Sequence, residues 1–207
     1  MDVPTSRLHH YFFIAFDPST SYPCGYMVMD YVEGNTVFDI WESLDTERRT
    51  DIVKQGAHIV SQLQLHSFDQ PGPLGGGRCR RFRVSGYGAG PFHKDDFNAW
   101  FTRKLEFSQR RGYASKDFPH FDYSSFTLVH HDICPVNLVL DCDSNVWVID
   151  WGNAGAYPAI FEAATMNDSS RFTEFNALML PHIDNGLEER DHTLGAPWTI
   201  VTGVYSE

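Results

Sequence analysis

The stretch that most constrains this chain is "LVHHDICPVNLVLDCDSNVWVIDWG", residues 128 to 152. "FTLV" (126 to 129), "NLVLD" (137 to 141) and "VWVID" (146 to 150) read as short strands, with "HHDICPV" a loop and "DCDSN" a turn. A two-residue loop at 143 and 144 would pair 142 with 145 and, counting outward, set 137 opposite 150. Asn137 and Asp150 would then share a face, with Cβ atoms about 4.5–5.5 Å apart. An amide oxygen and a carboxylate that close can share one hard cation. With so few protein oxygens the ion would keep water and phosphate oxygens, which suits Mg²⁺ better than Ca²⁺. Asp132, on the loop at the same end of the hairpin, would face that space. A base beside a metal clamp is a usual arrangement for phosphoryl transfer.

Elsewhere the pattern is mixed helix and strand. Leu8 to Phe16 and Gly25 to Tyr31 are apolar, aromatic-rich and separated by "DPSTSYPCG", so they read as two strands and their connection. "EGNT" reads as a linking turn. From Asp45 to His66, Ile52, Ile59, Val60 and Leu63 recur near helical spacing, with Asp45 as N-cap and Glu47 in the first turn. Phe97, Trp100, Phe101 and Leu105 mark a second amphipathic helix over about 95 to 110, capped by Asp95 or Asp96, and a further helix is expected around 159 to 166.

Composition narrows the function. The chain has 207 residues, 42% hydrophobic, enough for one domain or two small lobes sharing a core. No run reaches the length of a membrane span, and "YFFIAF" lacks the flanks of a signal peptide, so the expected location is cytoplasmic. A formal charge of −11 disfavours nucleic acid and anionic membrane as partners and suits a neutral or cationic substrate. Cys24, Cys79, Cys134 and Cys142 show no CxxC pairing, so they read as reduced thiols.

These residues carry a family resemblance. "HHDICPVN", followed after twelve residues by "DWG", resembles the H-x-D-x-x-x-x-N catalytic loop and metal-binding Asp motif of the aminoglycoside phosphotransferase-like kinases, especially fungal members. "GYMVMDYVEGNTV" resembles that family's hinge, and "WGNAGAYPAIFE" the segment after the metal Asp. The likeness implies an α+β, protein-kinase-like fold, with residues 1–32 a remnant N-lobe and hinge and 33–207 a mainly helical C-lobe carrying the catalytic-loop hairpin. It implies ATP and Mg²⁺ as cofactors and a small-molecule hydroxyl as acceptor. Asp132 would be the catalytic residue, His130 the brace of the loop, Asn137 and Asp150 the metal ligands, and the backbone of Met29, Asp30 and Tyr31 the adenine pocket. His131 stands where the family often has Gly, so its imidazole could alter loop shape or acceptor access.

Other motifs have plainer readings. Asp141 and Asp143 are turn formers. His130 and His131 as metal ligands would point apart on an extended segment and lack a third partner. "GYGAG" (86 to 90) has Pro91 where G-x-G-x-x-G needs its third glycine, which leaves a loop or hairpin turn. The arginines at 78, 80, 81 and 83 read as a solvated strand face, a contact to an acidic substrate being the alternative.

The resemblance also breaks. Family members place a nucleotide-covering loop, a strand lysine and a helix glutamate before the hinge. Here the four lysines, Lys54, Lys94, Lys104 and Lys116, and the first glutamate, Glu33, all follow Met29. Each charge-assisted bond lost from the phosphates is worth roughly 1.5–3 kcal/mol. The 207-residue chain alone is therefore expected to show severely reduced activity or none, and the alternative reading is a non-catalytic pseudokinase-type binding module.

Overall fold

The structure, a computed structural model, describes residues 3–14, 24–84, 87–112, 114–118, 120–168 and 170–183. Strands β1 (Leu8–Ile14) and β2 (Cys24–Met29) pair antiparallel where the two apolar runs predict them, with Phe12 stacked on Tyr26 at 5.3 Å between ring centroids. Phe16 lies outside the described residues, and Tyr31 lies beyond the strand end. Tyr11, Phe13 and Met27 on this hairpin remain exposed.

"EGNT" does more than link. Asn35–Thr36 forms a short strand, β3, that pairs with Leu140 and Val139 in the hairpin of the opening motif. The approach explains Gly34: a Cβ there would collide with the Leu140 carbonyl oxygen and sit 2.8 Å from Val139 Cγ1. Because the obstacle is backbone, Gly34→Ala is expected to destabilise the protein by about 1–3 kcal/mol, seen as a lower denaturant midpoint at constant slope. An unchanged midpoint would mean that β3 is not held against the hairpin.

Thr36 caps α1 (Val37–Ile40), its hydroxyl accepting from Asp39 N at 3.2 Å. Helix α2 (Thr46–Gln64) starts where the sequence places it, Asp45 Oδ1 accepting from Arg48 N at 2.8 Å. Its apolar stripe buries Ile52, Val53, Ile59, Val60 and Leu63. The short strands β4 (Ser67–Phe68) and β5 (Gly72–Pro73) follow, then the hairpin of β6 (Cys79–Val84) and β7 (Tyr87–Ala89). "GYGAG" thus contributes a hairpin strand rather than a phosphate loop.

Helix α3 (Lys94–Arg110) covers the expected span but not the expected cap. The N-cap is His93, without a side-chain bond; Asp95 and Asp96 sit in the first turn, and Lys94 N donates instead to Gln70 Oε1 at 3.1 Å. The first free N–H is satisfied by a loop residue from before the helix, which leaves both aspartates to complement the positive helix end.

Strand β8 (Phe126–Val129) leads into the motif loop, β9 (Leu138–Leu140) and β10 (Val146–Val148) form its hairpin, and β11 (Gly155–Tyr157) follows it. They assemble two antiparallel sheets, ordered β10-β9-β3 and β4-β8-β11-β5. Helices α4 (Ile160–Asp168) and α5 (Thr173–Met179) close the described chain. Two cores result. One gathers the α2 stripe with Leu138, Val146, Val148, Phe175 and Met179; the other is aromatic, built on Phe97, Phe101, Phe126, Tyr157 and Phe161. The motif loop runs between them, which fixes its two ends on separate packed surfaces.

Candidate functional site

His130 is fully buried, and its ring bridges the site. Nδ1 accepts from Asp132 N at 3.2 Å, so the ring proton is on Nε2, which donates to Ile149 O at 3.1 Å. A neutral imidazole of fixed tautomer thereby ties the loop before Asp132 to the strand end before Asp150. Trp151 packs edge-on against it at 4.8 Å.

His131 adopts φ 67°, the left-handed region that favours glycine. This accounts for a family preference for Gly without requiring a changed loop. The imidazole turns inward instead: it is fully buried and stacks on Tyr157 at 4.4 Å and 19°. Burial, and then the neighbouring Cys79, push the Tyr157 hydroxyl far above its ordinary range, so that platform stays neutral.

Glu162 on α4 is the residue that sequence reasoning missed. Its carboxylate, 1% exposed, accepts from His130 N at 2.7 Å and from His131 N at 3.2 Å. One acid in the apolar run "AIFEAAT" is the signal that could have found it, because a charge there must have polar partners.

Asn137 lies in a 3-10 turn rather than in the strand, and its Nδ2 donates to Asp132 O at 2.9 Å. That donation sets Oδ1 as the acceptor end of the amide. The hairpin register differs from expectation by one residue. Leu138 pairs with Val148, and Ile149 N donates to Asn137 O at 3.0 Å, so 137 faces 149 rather than 150, and strand pairing does not give Asn137 and Asp150 the shared face expected from the sequence.

The cause is a three-residue loop closed by Asp141. Its Oδ1 accepts from Asp143 N and Asn145 N, and its Oδ2 from Trp147 Nε1 at 2.8 Å, while Ser144 takes φ 68°. The Trp147 bond, then the Asn145 backbone bond, hold the Asp141 carboxyl below its usual value. A group whose folded pKa is depressed stabilises above its unfolded value, near 3.9, and loses that contribution as pH falls through the folded one. The stability advantage over Asp141→Asn is therefore expected to be full at pH 6 and to shrink below about pH 4. Thermal melts across that range check it; a constant gap would contradict it.

Asp150 leaves β10 in the left-handed conformation, φ 62° and ψ 67°, its Oδ1 accepting from Gly152 N at 3.3 Å. Aspartate tolerates this conformation through such local bonds. Asn153 then turns back to donate to Asp132 Oδ2 at 3.4 Å. The segment before β1 braces the same region: Val148 N donates to Pro4 O at 2.9 Å and Trp151 Nε1 to Thr5 Oγ1 at 2.7 Å. Residues 132, 137 and 153 are thus joined by hydrogen bonds, whereas the Asp150 side chain bonds locally to Gly152 N. At the end of β2, Asp30 N donates to Arg7 O at 3.0 Å, and Met29, Asp30 and Tyr31 are exposed. His9 beside Asp30 lowers that carboxyl's pKa.

A cleft of about 930 Å³ opens beside this network. Trp151, Gly152, Asn153 and Ala154 form one wall, and Pro73, Leu74, Gly75, Gly76, Arg78 and Cys79 the other. Pairing of Gly155 with Pro73 holds the walls together.

Comparison with known proteins decides the family. The sequence profile described as "Phosphotransferase enzyme family" matches residues 3–198. The chain belongs to this phosphotransferase family. No curated protein matches it. Among solved structures it resembles aminoglycoside phosphotransferase APH(2")-IIa in complex with gentamicin (15% identity, 93% of this chain and 63% of that chain, TM-score 0.51). It also resembles ADP-bound APH(2'')-Ib (16%, 99% and 70%, TM-score 0.55) and APH(4)-Ia (16%, 97% and 67%, TM-score 0.54). The chain thus spans 63–70% of the length of these relatives. The likeness is one of fold, the mixed α+β, kinase-like architecture of this family. Among the described residues no helix is long and apolar enough to cross a membrane.

Proposed function

We propose that this phosphotransferase-family chain transfers a phosphoryl group from ATP to a hydroxyl of a small molecule. The observation that supports the reading is the bonded set of Asp132, Asn137 and Asn153 on a loop held by His130 and Glu162, with Asp150 one residue beyond the Ile149 carbonyl that His130 engages. Asp132 is the base that takes the acceptor's hydroxyl proton, and Asn153 orients its carboxylate. The acceptor oxygen bonds to the γ-phosphorus as the bond to the bridging oxygen breaks, leaving ADP. Positioning and charge stabilisation are the remaining tasks.

Asn137 Oδ1 and the Asp150 carboxylate are the oxygens that would hold Mg²⁺. Among the described residues no group of three or more His, Cys, Asp or Glu is placed to hold a metal. Two protein oxygens would leave the rest of the ion's shell to phosphates and water. When bound, Mg²⁺ would supply charge neutralisation to the transferring phosphate. The backbone of Met29, Asp30 and Tyr31 is proposed to border the adenine, with residues 1–32 as the N-lobe side and 33–207 as the C-lobe, in a protein working in the cytoplasm.

The second reading is a non-catalytic binding module of the same fold. The test is Mg²⁺-dependent phosphate transfer from ATP onto a panel of small hydroxyl compounds. Transfer supports the kinase reading. Mg²⁺–ATP binding with no transfer to any acceptor would favour the second.

A further inference from the structure

Whole-chain charge and the lining of the cleft point to opposite acceptors. The net −11 favours a cation at long range, yet the charge at the cleft itself is Arg78, and among the described lining residues none is acidic. We infer that the acceptor carries an anionic group, a carboxylate or phosphate, which pairs with Arg78 while its hydroxyl reaches Asp132. This rests on the proposed phosphotransferase reading and names its substrate class.

Several observations support it. Asp132 lies one hydrogen bond from the cleft, because Asn153 in its lining donates to Asp132 Oδ2. Its 930 Å³ lies within the range of about 300–1,000 Å³ for small-molecule sites. The start of the wall that carries Arg78 is held: β5 pairs with β11, where a Cβ on Gly155 would come within 2.6 Å of Gly72 O. Along that wall Gly75 and Gly76 present backbone with open space where a Cβ would be, which admits a ligand to close range. Trp151 and Leu74 give the opposed surfaces an apolar character suited to a carbon skeleton.

An arginine at this place has a chemical meaning that a lysine would lack. Its planar fork matches the two oxygens of a carboxylate or phosphate. A polycationic acceptor would meet the same group as a like charge, which disfavours it.

The test is calorimetric titration of the 207-residue chain with four small hydroxyl compounds of different charge: glycerate, glycerol 3-phosphate, glycerol and choline. Binding of glycerate or glycerol 3-phosphate is expected to be tighter than that of glycerol or choline. Which anion wins separates carboxylate from phosphate. Arg78→Ala should weaken the anion by about 10-fold or more, Arg78→Lys should restore part of the loss, and neither should move the melting temperature. Tighter choline binding, anion binding indifferent to Arg78→Ala, or no binding of any probe would overturn the inference. Phosphate transfer, assayed on the same compounds, separates the two readings. Arg78-dependent anion binding without transfer sinks only the kinase reading, and transfer to choline but not to the anions sinks only this inference.

Discussion

Asp132→Asn is expected to lower phosphoryl transfer by about 10²–10⁴-fold in a single-turnover assay, with little change in Mg²⁺–ATP binding. The substitution is nearly isosteric. An asparagine oxygen still accepts from Asn153 Nδ2, and the bonds from Asn137 and to His130 use Asp132 backbone groups, which persist. What disappears is the capacity to take the hydroxyl proton. Because the effect is a ratio, it holds at whatever absolute rate the chain works. A loss confined to ATP affinity, or a loss under threefold, would place the base elsewhere.

Glu162→Ala is expected to destabilise the protein by about 3–5 kcal/mol, since hydrogen bonds to a charged group are worth about 1.5–3 kcal/mol each and two buried N–H groups lose their acceptor. For a chain of this size that is a fall in melting temperature of roughly 6–20 °C. Glu162→Gln keeps one oxygen acceptor and should cost less. The loop would loosen as well as melt earlier, because His130 and His131 both hang on this carboxylate. A Glu162→Ala protein that melts within about 2 °C of its parent would show that the loop is held by other contacts.

How much of this was legible in the sequence depends on how local the determining interactions are. Helix α2 could be read to within two residues, because its cap at Asp45 and its apolar stripe lie inside the segment. The strands of the site hairpin could be read too, but not their register. One carboxylate, Asp141, gathers two backbone N–H groups and an indole N–H, and so selects a three-residue loop over the two-residue one that strand patterning suggests. The α3 cap failed for a different reason: Gln70, far away in sequence, serves Lys94 N.

The candidate site divides the same way. Asp132, Asn137 and Asp150 are visible as spacing, and His131 as a departure from the family pattern that nonetheless takes a left-handed backbone. Glu162, Asn153 and Thr5 act through contacts between segments 21 to 146 residues apart, and no pattern in the chain announces those pairings. Only packing brings them to the loop. The net −11 describes the whole surface, whereas an acceptor meets the few groups of one cleft, so whole-chain charge and cleft lining carry separate information about it.

The measurement that bears most directly on the central claim is Mg²⁺-dependent ATP binding by calorimetry on the purified 207-residue chain, with Asp150→Ala alongside. The exposed Asp150 side chain bonds locally to Gly152 N, so the variant should fold. Saturable ATP binding that requires Mg²⁺ and is lost in Asp150→Ala is the predicted result. A well-folded chain that binds no Mg²⁺–ATP, or binds it equally well without the Asp150 carboxylate, would contradict the account.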